Sequence, residues 1–489
     1  MQTEALIFPK IRRIDLFLPG LTLALAGLFA LVQLAAPGIV GGDDGYYHIR
    51  LAALMRGDLT PQFTWLPLTI LSPDRYVDHH WLFHVLQMPF ASGDLVAGGQ
   101  AAATVFAAAA LAAAGWLLRR QGVPGAGLWA LGMFAASSAF VYRMSMPRAQ
   151  ALSLLWLMLA VHLLLERRER WLVVLGMTYV WLYDAFPLLL LVAGLYVGAA
   201  RLVEGKWRWA ALLYPALGVA LGLVVNPYFP NNLVFIYHHL IAKLDPSSVP
   251  VGNEWYPYTT AKLLENSGLA LLAVALGAGA LGWQKRRLSV AAALALGLTV
   301  VFGGMLLLSR RFVEYFPPFA VLFCALASQP LLEGRPLGRL GHAAVALGLA
   351  GALAATTLAV RAQVSSDPPP SRLAGAAGWL RANTPRGSLV FQTDWDDFPI
   401  LFFHNTHNAY TVGLDPTYLE RADPARYALW VDLTRGRGLD LSEAIVKHFG
   451  AHYVVSDLKH KAFLQRAESD GQMREVYRDS NSIVFQITE

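Results

Sequence analysis

Gly41-Gly42-Asp43-Asp44-Gly45-Tyr46-Tyr47-His48 follows directly on a long apolar run. Two adjacent carboxylates in that setting are costly to bury, so ionisable groups beside such a run are functional candidates by default. The glycines let the backbone turn tightly and approach a ligand closely. A solvated acidic loop would carry the same residues, and the rest of the chain has to decide between the two. Near the end of the same polar segment stands Asp78-His79-His80-Trp81. Carboxylate oxygens suit Mg²⁺ or Mn²⁺, and imidazole adds tolerance for transition metals. Asp44, Asp78, His79 and His80 are therefore a candidate divalent-metal set. A histidine pair at a membrane interface also serves as a plain polar anchor.

Three later segments add candidates. Ser247-Ser248-Val249-Pro250-Val251-Gly252-Asn253-Glu254-Trp255 carries one acid, Glu254, in a polar loop. Ser309-Arg310-Arg311-Phe312-Val313-Glu314-Tyr315 opens an apolar run with two guanidinium groups. Arg310 and Arg311 there could clamp a phosphate through paired charge-assisted hydrogen bonds, or snorkel to the interface. Thr393-Asp394-Trp395-Asp396-Asp397 follows a strand-like segment. Loops at strand ends commonly carry binding residues, and Asp394, Asp396 and Asp397 beside the Trp395 indole suit hydroxyl or amide recognition. The competing reading is an acidic turn that caps the next helix.

These residues need elements to position them, and composition names the class of element. Of 489 residues, 56% are hydrophobic and only 15% charged, a balance foreign to soluble proteins of this length. A bilayer core of roughly 30 Å takes about 20 helical residues. By that measure about eleven spans follow, near 14–35, 95–118, 125–142, 149–166, 170–184, 186–203, 208–225, 268–283, 288–308, 312–330 and 340–361. The run 81–92 reads as an extra interfacial or re-entrant helix. Six basic clusters fall on one side if the N-terminus is cytoplasmic: Lys10/Arg12/Arg13, Arg119/Arg120, Arg167/Arg168/Arg170, Lys206/Arg208, Lys285/Arg286/Arg287 and Arg335/Arg339. The net charge of +6 arises largely from these clusters, so it reports topology and not nucleic-acid binding. The single cysteine, Cys324, excludes a disulfide within the chain.

That threading puts segments 36–80 and 226–267, the Arg143–Gln150 turn and everything beyond about residue 362 on the external side. Arg143, Arg148, Arg310 and Arg311 are then external cations against the usual bias, which points to an anionic ligand. Residues 1–362 read as the transmembrane domain. Ser365-Ser366-Asp367-Pro368-Pro369-Pro370 reads as a stiff linker. Within 363–489, strands are expected at 388–392, 452–456 and 482–487, with helices near 371–382, 416–430 and 441–449, making a small α/β domain.

In this order the segments resemble the catalytic subunit of oligosaccharyltransferase, in its bacterial and archaeal single-subunit forms. Asp44-Gly45-Tyr46 is similar to that family's first-loop acidic motif, whose aspartate holds a divalent metal. Ser248-Val249 with Glu254 resembles a loosened form of its Ser-Val-Ser-Glu or Thr-Ile-x-Glu motif. Arg311-Phe312 with Tyr315 is similar to its Arg-Phe-x-x-Tyr segment, whose arginine meets the carrier phosphate. Asp394-Trp395-Asp396-Asp397 stands where the family has Trp-Trp-Asp-Tyr-Gly, the reader of the acceptor sequon. Where a second acidic motif belongs, this chain has Met146-Pro147-Arg148-Ala149-Gln150, a cation in place of a metal ligand. Either Asp78, His79 and His80 make up the ligand set, or Arg148 takes over part of the metal's electrostatic role.

The resemblance implies a polytopic α-helical membrane protein of the GT-C type with a C-terminal external α/β domain, in a prokaryotic inner or plasma membrane. It implies a glycosyltransferase that moves a sugar from a polyprenyl phosphate or pyrophosphate to an external, periplasmic acceptor, protein or glycan. Asp44, Asp43 and Glu254 would be catalytic, Arg311, Arg310, Arg148 and Tyr315 would bind the donor phosphate, and Trp395, Asp396, Asp394 and Asp397 the acceptor. The reading from another class is a transporter or flippase of a lipid-linked substrate. Inverted repeats and broken helices at mid-membrane would mark it, and the sequence shows no such symmetry.

Overall fold

The computed structural model describes residues 15–241, 252–284, 287–333, 338–438 and 440–488. Six described helices are long and apolar enough to cross a membrane: Leu95–Arg120, Pro187–Glu204, Thr260–Trp283, Val290–Leu308, Phe316–Glu333 and Arg339–Val364. Four shorter apolar helices accompany them, Phe17–Gln33, Ala126–Ala135, Gln150–Leu165 and Ala210–Val224. The chain is a multi-pass membrane protein, and its described residues hold six to ten such helices where eleven were expected. Local breaks explain the difference. At Ser137 the backbone goes extended (ψ 123°) and the run expected as one span splits into Ala126–Ala135 and Ser138–Met144. The Ser137 hydroxyl caps the second piece at Phe140 N and lies 3.1 Å from the Ser267 hydroxyl, where helix Thr260–Trp283 is itself non-helical. The run at 170–184 yields only Leu172–Leu182.

Sequence chemistry sets the helix ends. The Asp94 carboxylate accepts from Val96 N and Ala97 N at the start of Leu95–Arg120, and Arg119 and Arg120 stand in its last turn, matching the helix dipole. Small residues then allow close packing, the usual device between helices that lack a hydrophobic driving force in lipid. A Cβ at Gly222 would lie 2.6 Å from the Met177 carbonyl oxygen, and one at Gly176 2.8 Å from that of Pro215.

The C-terminal part is a five-stranded mixed sheet. Its strands are β1 (Leu389–Gln392), β2 (Ala409–Tyr410), β3 (Tyr453–Asp457), β4 (Met473–Arg478) and β5 (Ser482–Ile487), in the order β2-β1-β3-β5-β4. β1 runs parallel to β2 and β3, and β5 antiparallel to β3 and β4. Helices Ala374–Asn383 and Leu441–Phe449 match expectation, while the run at 416–430 breaks at Asp423 into Thr417–Ala422 and Pro424–Thr434.

This domain is not tethered by a free linker. Asp367 accepts hydrogen bonds from Gly41 N (2.8 Å) and Tyr142 O–H (3.0 Å), so the segment expected as a stiff spacer is docked on the bundle. One apolar core joins the first polar segment to the C-terminal domain, with Tyr46, Tyr47, Phe63 and Tyr76 packed among Phe398, Phe402, Tyr410 and Tyr418. Backbone bonds stitch the same seam: Tyr410 N to Trp65 O at 2.8 Å and Ile70 N to Tyr418 O at 3.1 Å.

Candidate active site

The two glycines before the aspartate pair both have positive φ, +76° at Gly41 and +64° at Gly42, and swing the chain into helix Asp43–Met55. A Cβ on Gly45 would press on Ile39 and Pro147, so the small residue lets the helix start lie against the Met146–Arg148 turn. Asp44 and His48 are one helical turn apart on that helix and both face a cavity of about 540 Å³. Also lining it are His79, His80, Arg148, Glu254, Arg311, Trp395 and Asp396. Residues as far apart in sequence as Asp44 and Asp396 thus meet around one cavity.

The cavity's electrostatics centre on Glu254, whose carboxylate takes Arg143 Nη1 at 2.7 Å, Arg311 Nη1 at 3.5 Å and Arg148 Nη1 at 4.0 Å. Burial alone would raise the Glu254 carboxyl, but the three guanidinium charges outweigh it and hold the group well below the usual carboxylate range. Arg143 also donates from Nε to Glu314 Oε1 at 2.7 Å. Arg311 donates to the Tyr183 hydroxyl at 2.6 Å and lies over the Trp255 ring, 5.0 Å from its centroid. Arg148 Nη2 stands 3.3 Å from Asp44 Oδ2. A second cavity of about 550 Å³ shares Tyr142, Arg143, Glu254 and Arg311 with the first and adds Tyr258, Lys262 and Arg310.

Several expected residues do other work. Arg310 turns out of the main cavity, donating to the carbonyl oxygens of Tyr256 (3.1 Å) and Pro257 (3.1 Å), and lies over the Tyr258 ring. Tyr315 is buried against the Ser153 hydroxyl at 2.8 Å and does not line the main cavity. Asp397 is 1% exposed beside Arg372 (3.0 Å), and Asp394 caps its own turn at Asp396 N (3.1 Å). Of the four tail residues, Trp395 and Asp396 reach the cavity. Asp43 opens the helix, but its carboxylate and the Ser247–Val251 part of the Glu254 segment lie outside the described residues.

The metal set Asp44, Asp78, His79 and His80 is not assembled. Arg148 Nη2 stands 3.3 Å from Asp44 Oδ2, so a cation already occupies the place beside the carboxylate that a dication would need, and the residues do not fit one. Asp78 is buried and accepts from His84 Nδ1 at 2.7 Å and from His80 N at 3.0 Å. His84 Nε2 in turn lies 2.8 Å from His48 Nδ1. A carboxylate accepts, so His84 Nδ1 carries the proton and its Nε2 presents a lone pair. His48 Nδ1 must then donate, which leaves His48 Nε2 as an acceptor for the cavity. Burial, with the Arg148 charge adding to it, pushes His48 well below its ordinary value, keeping it neutral. His80 instead stacks on Tyr183 with ring centroids 5.3 Å apart.

Sequence reasoning passed over His48, His84, Tyr183, Asp184, His239 and Glu314. The signal for His48 was present as the i+4 partner of Asp44. Asp184, a lone acid in the turn between two apolar runs, also met the criterion applied to Asp44.

No protein-family model matches the chain, and no curated protein matches it in sequence. Solved structures do. The oligosaccharyltransferase of Archaeoglobus fulgidus superposes over 97% of this chain and 75% of its own, with TM-score 0.67 and 14% identity. The fold is that of the GT-C membrane glycosyltransferases. ArnT from Cupriavidus metallidurans, bound to undecaprenyl phosphate, matches this chain over 96% of its length and 98% of ArnT, with TM-score 0.61 and 17% identity. The mycobacterial arabinofuranosyltransferase AftD matches 96% of this chain and 40% of its own, with TM-score 0.56 and 16% identity.

Proposed function

We propose that the protein transfers a sugar or oligosaccharide from a polyprenyl-linked phosphate or pyrophosphate to an acceptor hydroxyl or amide, protein or glycan, on the external face of the membrane. The observation that carries this reading is the meeting of Asp44 with Arg143, Arg148 and Arg311 around one cavity. A departing phosphate and an activated acceptor have to come within reacting distance, and a cationic cluster facing a carboxylate provides for both. Two structures of the same fold hold lipid carriers, dolichol-phosphate in the archaeal enzyme and undecaprenyl phosphate in ArnT. The adjoining cavity, with Lys262 and Arg310 beside Tyr258, suits the carrier's approach.

In the step itself the bond from the anomeric carbon to the phosphate oxygen breaks, and the acceptor oxygen or nitrogen bonds to that carbon. The acceptor's proton passes to Asp44, which Arg148 holds by one carboxylate oxygen. Arg311 and Arg148 meet the charge left on the phosphate. Glu254 keeps the guanidinium groups from repelling one another before the donor arrives, and Trp395 and Asp396 border the acceptor's side. The test is transfer from purified polyprenyl-phosphate and polyprenyl-pyrophosphate sugars to peptide and glycan acceptors. Transfer abolished by Asp44→Asn supports the reading, whereas donor hydrolysis or translocation without transfer overturns it.

A further inference from the structure

Beside the cavity, three side chains from three separate segments converge without serving the transfer step. His79 precedes helix Trp81–Gln87, Asp184 stands in the turn before Pro187–Glu204, and His239 lies in the helical turn Tyr237–Ile241. One ligand atom of each lies within 4.8 Å of the others. They border a void of about 20 Å³, room for one water or one ion, and they also line the large cavity. We propose that His79, Asp184 and His239 bind a divalent transition-metal ion, Zn²⁺ by their ligand chemistry, with the remaining position open to the cavity.

Two imidazoles and one carboxylate are the donor set that zinc takes in open sites, and Mg²⁺, which prefers oxygen, is disfavoured there. Donor atoms on a tetrahedral ion lie roughly 3.3 Å apart for bonds of about 2.0–2.1 Å, so small rotations of the three side chains close the set. The surroundings already orient the ligands. His239 Nε2 lies 2.6 Å from Asp184 Oδ2, and its Nδ1 lies 3.0 Å from the Tyr418 hydroxyl. When the ion takes Nε2, the ring keeps its one proton on Nδ1 and donates it to Tyr418, the outer-shell contact that fixes the tautomer of metal-bound histidine. The Phe235 ring stacks on both His79 and His239, at 4.8 and 5.2 Å between centroids, and restrains both ligands. Asp184 follows Tyr183, whose hydroxyl holds Arg311, so a bound dication would add positive charge next to that arginine. That last service rests on the transfer reading. Occupancy of the site does not.

The experiment is metal binding by the full-length purified protein, stripped with chelator and then dialysed against Zn²⁺ or Co²⁺. Roughly one equivalent of zinc per chain is expected by elemental analysis, with visible Co²⁺ absorption of a four-coordinate nitrogen/oxygen site. Asp184→Asn and His239→Ala should lose the equivalent, and Tyr418→Phe should weaken affinity roughly 10–100-fold. Absence of both the zinc equivalent and the cobalt bands in wild-type protein overturns the site, even if the variants fail to fold. Retention of zinc by well-folded His239→Ala overturns it too. Neither result depends on activity, so a zinc-free protein that still transfers sugar removes this site and leaves the function standing.

Discussion

Arg311→Ala puts the proposed chemistry at risk with little danger to the fold. In the structure Arg311 contacts Tyr183, Glu254 and the face of Trp255. Its loss does not strand Glu254, because Arg143 remains at 2.7 Å and Arg148 at 4.0 Å from the same carboxylate oxygen. The variant should therefore extract and purify like the wild type. Removing one pre-placed donor from a developing oxyanion costs about 2.7–4 kcal/mol, a fall of roughly 10²–10³-fold in turnover. Arg311→Lys should recover part of this, since an ammonium keeps the charge but cannot span Tyr183 and Glu254 as a fork does. Arg310→Ala should stay within about tenfold, because Arg310 spends its donors on backbone carbonyls outside the main cavity. The assay is single-turnover transfer from a purified lipid-linked donor, with monodispersity on gel filtration as the folding control. Full turnover by Arg311→Ala would refute the reasoning and shift the phosphate site toward Arg143 and Arg148.

Asp78→Asn should turn an amide N–H toward His84 Nδ1, invert both histidine tautomers and present a proton in place of a lone pair at His48 Nε2. The expected result is a drop of at least about 10²-fold in kcat, by analogy with tautomer inversion in a buried triad. An unchanged kcat would make the chain purely structural. In the C-terminal domain, burial pushes the Asp397 carboxyl up to about 7 against the pull of Arg372. A raised value means that its stability contribution is complete below about pH 4 and is lost as the pH rises through about 7. Thermal unfolding of the whole protein between pH 5 and 7.5 should thus show a smaller pH dependence in Asp397→Asn. An equal slope would remove Asp397 as the cause. A cysteine placed in the C-terminal domain, in a Cys324→Ser background, should react with an impermeant thiol reagent in intact cells. Labelling only after lysis would reverse the proposed orientation.

The class of protein was legible because apolar length and basic clusters are additive signals along a chain. Individual spans were less so: Ser137 looks no different in sequence from a serine inside a helix, yet it ends one. Strands β1, β3 and β5 were expected within a residue of where they lie. β2 was missed because its two residues take their place from β1 and Trp65, not from their own pattern. Of the candidate site residues, those of types that tolerate few environments, such as Asp44, Arg311 and Trp395, line one cavity. What failed was grouping. Asp78, His79 and His80 are consecutive in sequence but serve three different contacts, and spacing cannot tell which way adjacent side chains point. His79 meets Asp184 and His239 only through folding, so no local motif could have joined them.

The apolar core shared between residues 39–77 and the C-terminal domain bears on how the protein is made. Tyr46 and Tyr47, on the helix that presents Asp44, pack against Phe403, Phe398 and Phe402. The carboxylate at the head of the chain is therefore set in place by residues synthesised more than 350 positions later. During synthesis the aromatic side chains of the first segment lack these partners until the sheet domain has been made. On the transfer reading, activity then waits for the C-terminal sheet domain. On the same reading, a truncated protein lacking the sheet would leave Asp44 unplaced and would expose the apolar face that the sheet domain covers.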